Sequence, residues 1–86
     1  MRFLSILSWE PEKAHEVTER FKKWKVPEGL KWILPPHTLM GRNQSASIVE
    51  TDDPKVLAKV DRYWRDIAEF ESFPIMDSRE IAKVTP

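Results

Sequence analysis

The sequence predicts a single α+β domain with four strands and two principal helices in the order β-α-β-β-α-β. Three observations predict it. Four short apolar runs are bounded by turn residues. Two stretches between them carry apolar residues at helical spacing. Each helical stretch opens on an acidic residue followed by proline, Glu10-Pro11 and then Asp53-Pro54, so two similar halves follow one another.

The first run, "RFLSILSW" (2–9), reads as a strand with apolar residues on both faces, as in a central strand covered on two sides. Pro11 suits the first helical position, with Glu10 before it as cap. Ala14, Val17, Phe21 and Trp24 then form one apolar stripe, and Glu16/Arg20 and Glu19/Lys23 are expected as i,i+4 pairs on the wet side. His15 lies beside the stripe as a surface residue. "VPEG" (26–29) ends the helix.

"LKWILPPHTL" (30–39) reads as a second strand, although it carries Pro35 and Pro36. Proline cannot donate to a ladder, so this strand belongs at a sheet edge or contains a bulge. "MGRN" (40–43) is a turn and "QSASIVE" (44–50) a third strand with small residues on one side, so the two strands form a hairpin. Asp53-Pro54 opens a helix whose buried face is Leu57, Val60, Trp64 and Ile67. "FESFPIM" (70–76) is a fourth strand, with Pro74 again marking an edge. Asp77 and Glu80 look like a capping pair for a short terminal helix ending near Val84.

This order is the split β-α-β, ferredoxin-like pattern. Right-handed crossovers put the first and third strands in the centre of an antiparallel sheet and the second and fourth at its edges. Both proline-bearing strands then fall on edges. Two helices cover only one face. The other exposes apolar residues, so a homodimer with sheets packed face to face, a dimeric α/β barrel, is expected.

At 86 residues the chain is one domain, residues 1–86, with a small core for its length. Fourteen Lys plus Arg balance fourteen Asp plus Glu, which argues against a nucleic-acid partner. The densest basic stretch, "RFKKWK" (20–25), suits a helix C-terminus. With no cysteine, thiolate chemistry and Cys-based zinc sites are excluded. No stretch looks like a signal peptide or a membrane span, so a soluble, cytoplasmic protein is expected. Two histidines without HxH or HxxxH spacing give no metal site, and two glycines give no phosphate loop. No metal and no cofactor is expected.

The stretches "MRFLSILSWEPEKAHEVTERFKKW", "VPEGLKWI", "PHTLMGRNQSASIVETDDPKVL" and "YWRDIAEFESFPIMDSREI" together resemble a small domain-of-unknown-function family of the dimeric α/β-barrel, ferredoxin-like superfamily. The most specific pieces are the "VETDDP" junction and the W-x-D of Trp64–Asp66 followed by F-E-x-x-P at Phe70–Pro74. The family often has Trp-His in the second strand; Pro36 precedes His37 here, while His37 itself matches. The resemblance implies the fold and a dimer but no reaction. Its wider superfamily spans cofactor-independent monooxygenases, small isomerases, haem-handling enzymes and ligand-sensing regulatory domains.

His37 is the leading general acid or base by its ordinary titration range; a backbone-bonded strand-end histidine is the structural alternative. Glu50, at the end of the third strand, could accept a proton if burial raised its pKa. Trp64, Tyr63 and Arg42 are the expected ligand-binding residues: an aromatic wall, a hydroxyl and a partner for an anion. Trp64 and Asp66, two apart on one helix, should face different ways. The first functional expectation is a homodimeric small-molecule-binding or regulatory domain taking a small apolar or aromatic ligand between helices and sheet. The alternative is a small cofactor-independent enzyme, a monooxygenase or isomerase, using His37 with Glu50 or Tyr63. A third is a partner-binding module using free sheet edges. A cavity beside His37 that also holds Glu50 or Tyr63 would favour the enzyme.

Overall fold

A computed structural model describes residues 1–84 of the chain. Strand β1 (Arg2–Ser8) leads through a 3-10 turn, Pro11–Lys13, into α1 (Ala14–Lys23). Then come β2 (Lys31–Thr38), β3 (Gln44–Glu50), α2 (Lys55–Trp64), β4 (Glu69–Ile75) and α3 (Ser78–Val84). The result is an α+β fold with a four-stranded antiparallel sheet and, among the described residues, three α-helices. The strand order is β2-β3-β1-β4, so β1 and β3 are central and the proline-bearing strands are the edges.

Helix starts follow the acidic-proline signals with one difference in detail. Asp53 caps with its side chain: Oδ1 accepts the Lys55 N–H at 3.0 Å. Glu10 offers only its backbone carbonyl, to Lys13 N–H at 2.9 Å, and makes no side-chain cap. Asp77 Oδ1 accepts the Arg79 N–H at 2.8 Å, while Glu80 pairs forward with Lys83 instead of closing a capping box. Both glycines sit third in tight turns. Gly29 has φ 91° between Pro27 and Leu30, and Gly41 has φ 82° between Leu39 and Arg42. That left-handed geometry favours glycine.

The prolines of β2 produce both the edge position and a bulge. Leu34 pairs with Ile48 and His37 with Ala46, so Pro35 and Pro36 together oppose Ser47 alone. A second irregularity leaves Ile33 unmatched between Trp32, opposite Val49, and Leu34. Each bulge inserts one residue and restores the facing of the next.

Alternation sorts the strands into two faces. Toward the helices point Phe3, Ser5 and Leu7 of β1, Ser47 and Val49 of β3, Trp32 of β2, and Phe70 and Ser72 of β4. They meet Val17 of α1, Val56, Val60 and Trp64 of α2, and Ile67 just beyond it. From the expected stripe Val60, Trp64 and Ile67 are buried, whereas Leu57 is only half-buried and Val56 is buried in its place. The α1 stripe is thinner than expected. Only Val17 is buried in α1, and Phe21 is 41% exposed.

The expected pairs Glu16/Arg20 and Glu19/Lys23 are replaced. Arg20 reaches across to Asp66 with two hydrogen bonds, Nη1 at 2.6 Å and Nη2 at 2.9 Å, and Nη1 also donates to the Tyr63 carbonyl at 2.8 Å. A two-pronged carboxylate contact outcompetes a single in-helix partner. Lys22 and Lys13 then take Glu19 and Glu16 at i,i+3 spacing. As expected, Trp64 and Asp66 part company: Trp64 enters the core and Asp66 fixes α1.

Trp64 is the largest fully buried side chain, 2% exposed. Replacing it by alanine should lower the unfolding free energy by about 3–5 kcal/mol. Urea denaturation measures this, and a loss under about 1 kcal/mol would contradict a core role for the ring.

Candidate functional site

The sheet carries an unusual row on its helix-facing side. Ser47 of β3, Ser5 of β1 and Ser72 of β4 lie directly across from one another. Positions facing helices are ordinarily large and apolar. Three serines remove volume from the middle of the layer. Ser5 and Ser47 are nonetheless buried, at 4% and 8% exposure, and the Ser5 and Ser72 hydroxyls share a hydrogen bond of 3.1 Å.

Above this row lies a cavity of about 290 Å³. Ser5, Ser47, Leu7 and Val49 line it from the central strands, Trp32, Pro36 and Thr38 from β2. Val17, Thr18, Phe21 and Lys22 of α1 close it with Leu57, Val60 and Trp64 of α2. Thr18, Phe21, Lys22 and Thr38 are exposed, so the cavity meets solvent between α1 and β2. No Cα of α1 comes within 8 Å of a strand Cα, leaving room beneath it.

Aromatic rings form its walls. Trp24, just past α1, lies 5.6 Å from Trp32, 6.0 Å from Trp64, 6.1 Å from Phe21 and 6.3 Å from Tyr63, centroid to centroid. Tilted and edge-on contacts at such distances are attractive beyond their buried area. Trp9 is also among the lining residues, and its buried indole N–H has no acceptor within the chain. A buried donor without a partner is costly.

Of the residues expected to act in catalysis or ligand binding, Trp64 alone lines this cavity. Tyr63 packs edge-on against Trp64 at 5.3 Å, outside the lining, with the Arg20 guanidinium 5.7 Å above its ring. Arg42 lies in the exposed hairpin turn, its Nε donating to Gln44 Oε1 at 2.9 Å. His37 pairs opposite Ala46 on the sheet face turned away from the helices. Its Nδ1–H donates to the Pro35 carbonyl at 2.5 Å, the backbone contact of a strand-end histidine.

Glu50 also lies on that outer face, four residues along β3 from Ala46, about 13 Å away at the usual strand rise. Its pKa is not raised. The Arg2 Nε donates to Glu50 Oε2 at 3.1 Å and holds the carboxyl below its ordinary value, against a smaller opposing effect of burial. His37, Glu50 and Tyr63 thus share no common point within one chain. No cluster of three or more metal-ligating side chains occurs among the described residues, and none of their helices is long and apolar enough to cross a membrane.

A family model described as "Domain of unknown function (DUF3303)" matches residues 1–86. The chain belongs to the DUF3303 family. No curated protein and no solved structure matches it. Family membership carries no activity, so the chemistry of this DUF3303 chain rests on its own residues. Among the cavity residues that sequence reasoning did not name as binding residues are Trp9, Trp24, Trp32, Ser5, Ser45 and Ser47. One signal was present: serine at alternate positions of β3, Ser45 and Ser47, where large residues would be expected.

The Arg20–Asp66 contact gives the site an acid limit. The Arg20 hydrogen bond holds the Asp66 carboxyl below the usual range. A depressed carboxyl contributes stability above its unfolded pKa, near 4, and loses it as pH falls through the folded value. Asp66→Asn should therefore lower the melting temperature at pH 7, with the difference from wild type shrinking as pH falls below about 4. Thermal unfolding monitored by circular dichroism across that range checks it; a gap that widens in acid would contradict the assignment.

Proposed function

We propose that this chain is a small-molecule-binding domain of ferredoxin-like architecture, working as a homodimer, that takes a small aromatic ligand between its helices and its sheet. The observation that carries this reading is the cavity of about 290 Å³ walled by Trp24, Trp32, Trp64 and Phe21 over a row of serines. Cavities near 150 Å³ hold benzene, so roughly twice that volume suits a two-ring molecule. The ring faces supply apolar contact, and the serine and threonine hydroxyls supply orientation.

The homodimer reading rests on the outer sheet face, where Leu34, Ile48, Leu4 and Phe73 form an apolar row across all four strands. Leu34 and Phe73 are 40% and 46% exposed. The alternative, a cofactor-independent enzyme acting through His37, gains nothing from the cavity, because His37 lies on the opposite face.

Titration with 2-naphthol, followed by quenching of tryptophan fluorescence, tests the ligand reading. Saturation is expected below about 1 mM, about −4 kcal/mol for a fragment of that size. Ser47→Leu, which fills the cavity, should weaken binding at least about tenfold, and His37→Ala should leave it unchanged. Should Ser47→Leu perturb folding by circular dichroism, Ser5→Val is the milder filling variant. Quenching that never saturates, or that survives both fillings, overturns the reading.

A further inference from the structure

The hydroxyls on the cavity floor follow the geometry of the sheet. Ser47 and Ser45 are two residues apart on β3, so both face the helices, about 7 Å from each other at the usual strand rise. Ser47 stands beside Ser5 of β1, and Ser45 beside Thr38 of β2. The four make an inner pair and an outer pair. Ser5 and Ser47 are buried, whereas Ser45 is half-buried and Thr38 is exposed at the opening.

Hydrogen bonding separates these hydroxyls. Ser5 shares its own with Ser72 at 3.1 Å. Ser47 is only 8% exposed, yet its hydroxyl has no partner among the described residues, and neither has that of Ser45. On the β2 side Ser47 meets the Pro35–Pro36 bulge, where two successive residues have no N–H to offer. A buried hydroxyl left unpaired is costly, and such groups ordinarily have a reason. Both β3 serines line the cavity, while on the helix side α2 presents Leu57 and Val60.

The lining also offers no free charge. Lys22 is its one ionisable side chain, and the ammonium donates to Glu19 Oε1 at 3.1 Å. An ionised guest would leave water for a space without a counter-charge, which is unfavourable.

We propose that the cavity takes a neutral two-ring aromatic molecule with two oxygen functions along one edge, one bonded to Ser47 and the other to Ser45. Serine hydroxyls both donate and accept, so hydroxyl and carbonyl oxygens on the guest both suit. The opposite, apolar edge of the guest lies toward Leu57 and Val60. The inference rests on the ligand reading and adds to it the place of the polar groups. Selectivity then comes from the spacing of alternate residues on β3, about 7 Å, which separates isomers of equal size.

Isothermal titration calorimetry at pH 7 tests this with 2-naphthol and two of its hydroxylated isomers. In 2,7-dihydroxynaphthalene the hydroxyls stand at the two ends of one long edge; in 2,3-dihydroxynaphthalene they are side by side. The 2,7 isomer should bind at least about fivefold tighter than 2-naphthol, the gain of one hydrogen bond, and the 2,3 isomer within about twofold of 2-naphthol. Ser45→Ala should abolish the gain and leave 2-naphthol within about twofold of its wild-type affinity. Equal affinities for the two isomers, or a gain that survives Ser45→Ala, overturn the inference even where 2-naphthol binds and the ligand reading stands. The ionised 2-naphthoate should bind at least about tenfold more weakly than 2-naphthol, and equal binding overturns the requirement for a neutral guest. A chain that does not bind 2-naphthol at all overturns both readings.

Discussion

Trp24 is the contact on which the arrangement of the layers depends. It stands at the C-terminal boundary of α1, with its N–H still bonded to the Phe21 carbonyl at 3.2 Å. From there its ring touches Trp32 of β2 and both Tyr63 and Trp64 of α2. One side chain thus ties the end of one helix to an edge strand and to the other helix. Without it, α1 would be held mainly by Val17 and by the Arg20–Asp66 contact, since no other α1 residue is buried. Rigid rings also explain how a layer can stay in place above a gap. A roof of leucines would sink toward the serines, whereas large planar groups braced against one another span the space.

The two ways in which α1 is attached have different physical characters. The aromatic contacts are insensitive to salt and pH. The Arg20–Asp66 bridge is exposed on its carboxylate side, so solvent screens it and its value is in geometry more than in energy. By also bonding the Tyr63 carbonyl near the end of α2, Arg20 ties α1 to the C-terminal end of α2 at two points.

Much of the architecture was legible in the sequence because it depends on local rules. The acidic-proline starts, the glycine turns and the alternation in β3 each act over a few residues, and the edge prolines restrict topology without knowledge of contacts. The places where reading failed are those where a distant partner decides. Arg20 has Glu16 four residues away, and only the fold reveals that Asp66 offers better geometry. Ile33 looks like an ordinary strand residue, and its bulge is visible only against β3. The cavity is the clearest case. Ser5 and Ser47 are unremarkable residues far apart in sequence, and only strand register puts them side by side beneath it. Trp64 could be picked out as a wall because α2 has a strong stripe; Trp24 was legible as the last member of the α1 stripe, but its role as a wall was not, because it stands just past the helix end.

The same two central strands serve both faces, and this makes register the decisive constraint. In β3, Ser47 faces the cavity and Ile48 the outer face; in β1, Ser5 and Leu4 divide the same way. Side chains alternate with period two, so a slip of one residue would carry the serine row outward and drive Ile48 and Leu4 against the helices. The cavity would fill and the outer face would turn polar. Two features oppose such a slip. The Arg2–Glu50 pair locks one end of the β1–β3 ladder on the outer face, and the Gln44 Nε2 donates to Ser8 Oγ at 3.1 Å at the other. In β2 the ladder has no such freedom either, because Pro35 and Pro36 can pair only where the bulge accommodates them. The prolines that first look like defects in a strand therefore keep His37 on the outer face and Pro36 at the cavity wall.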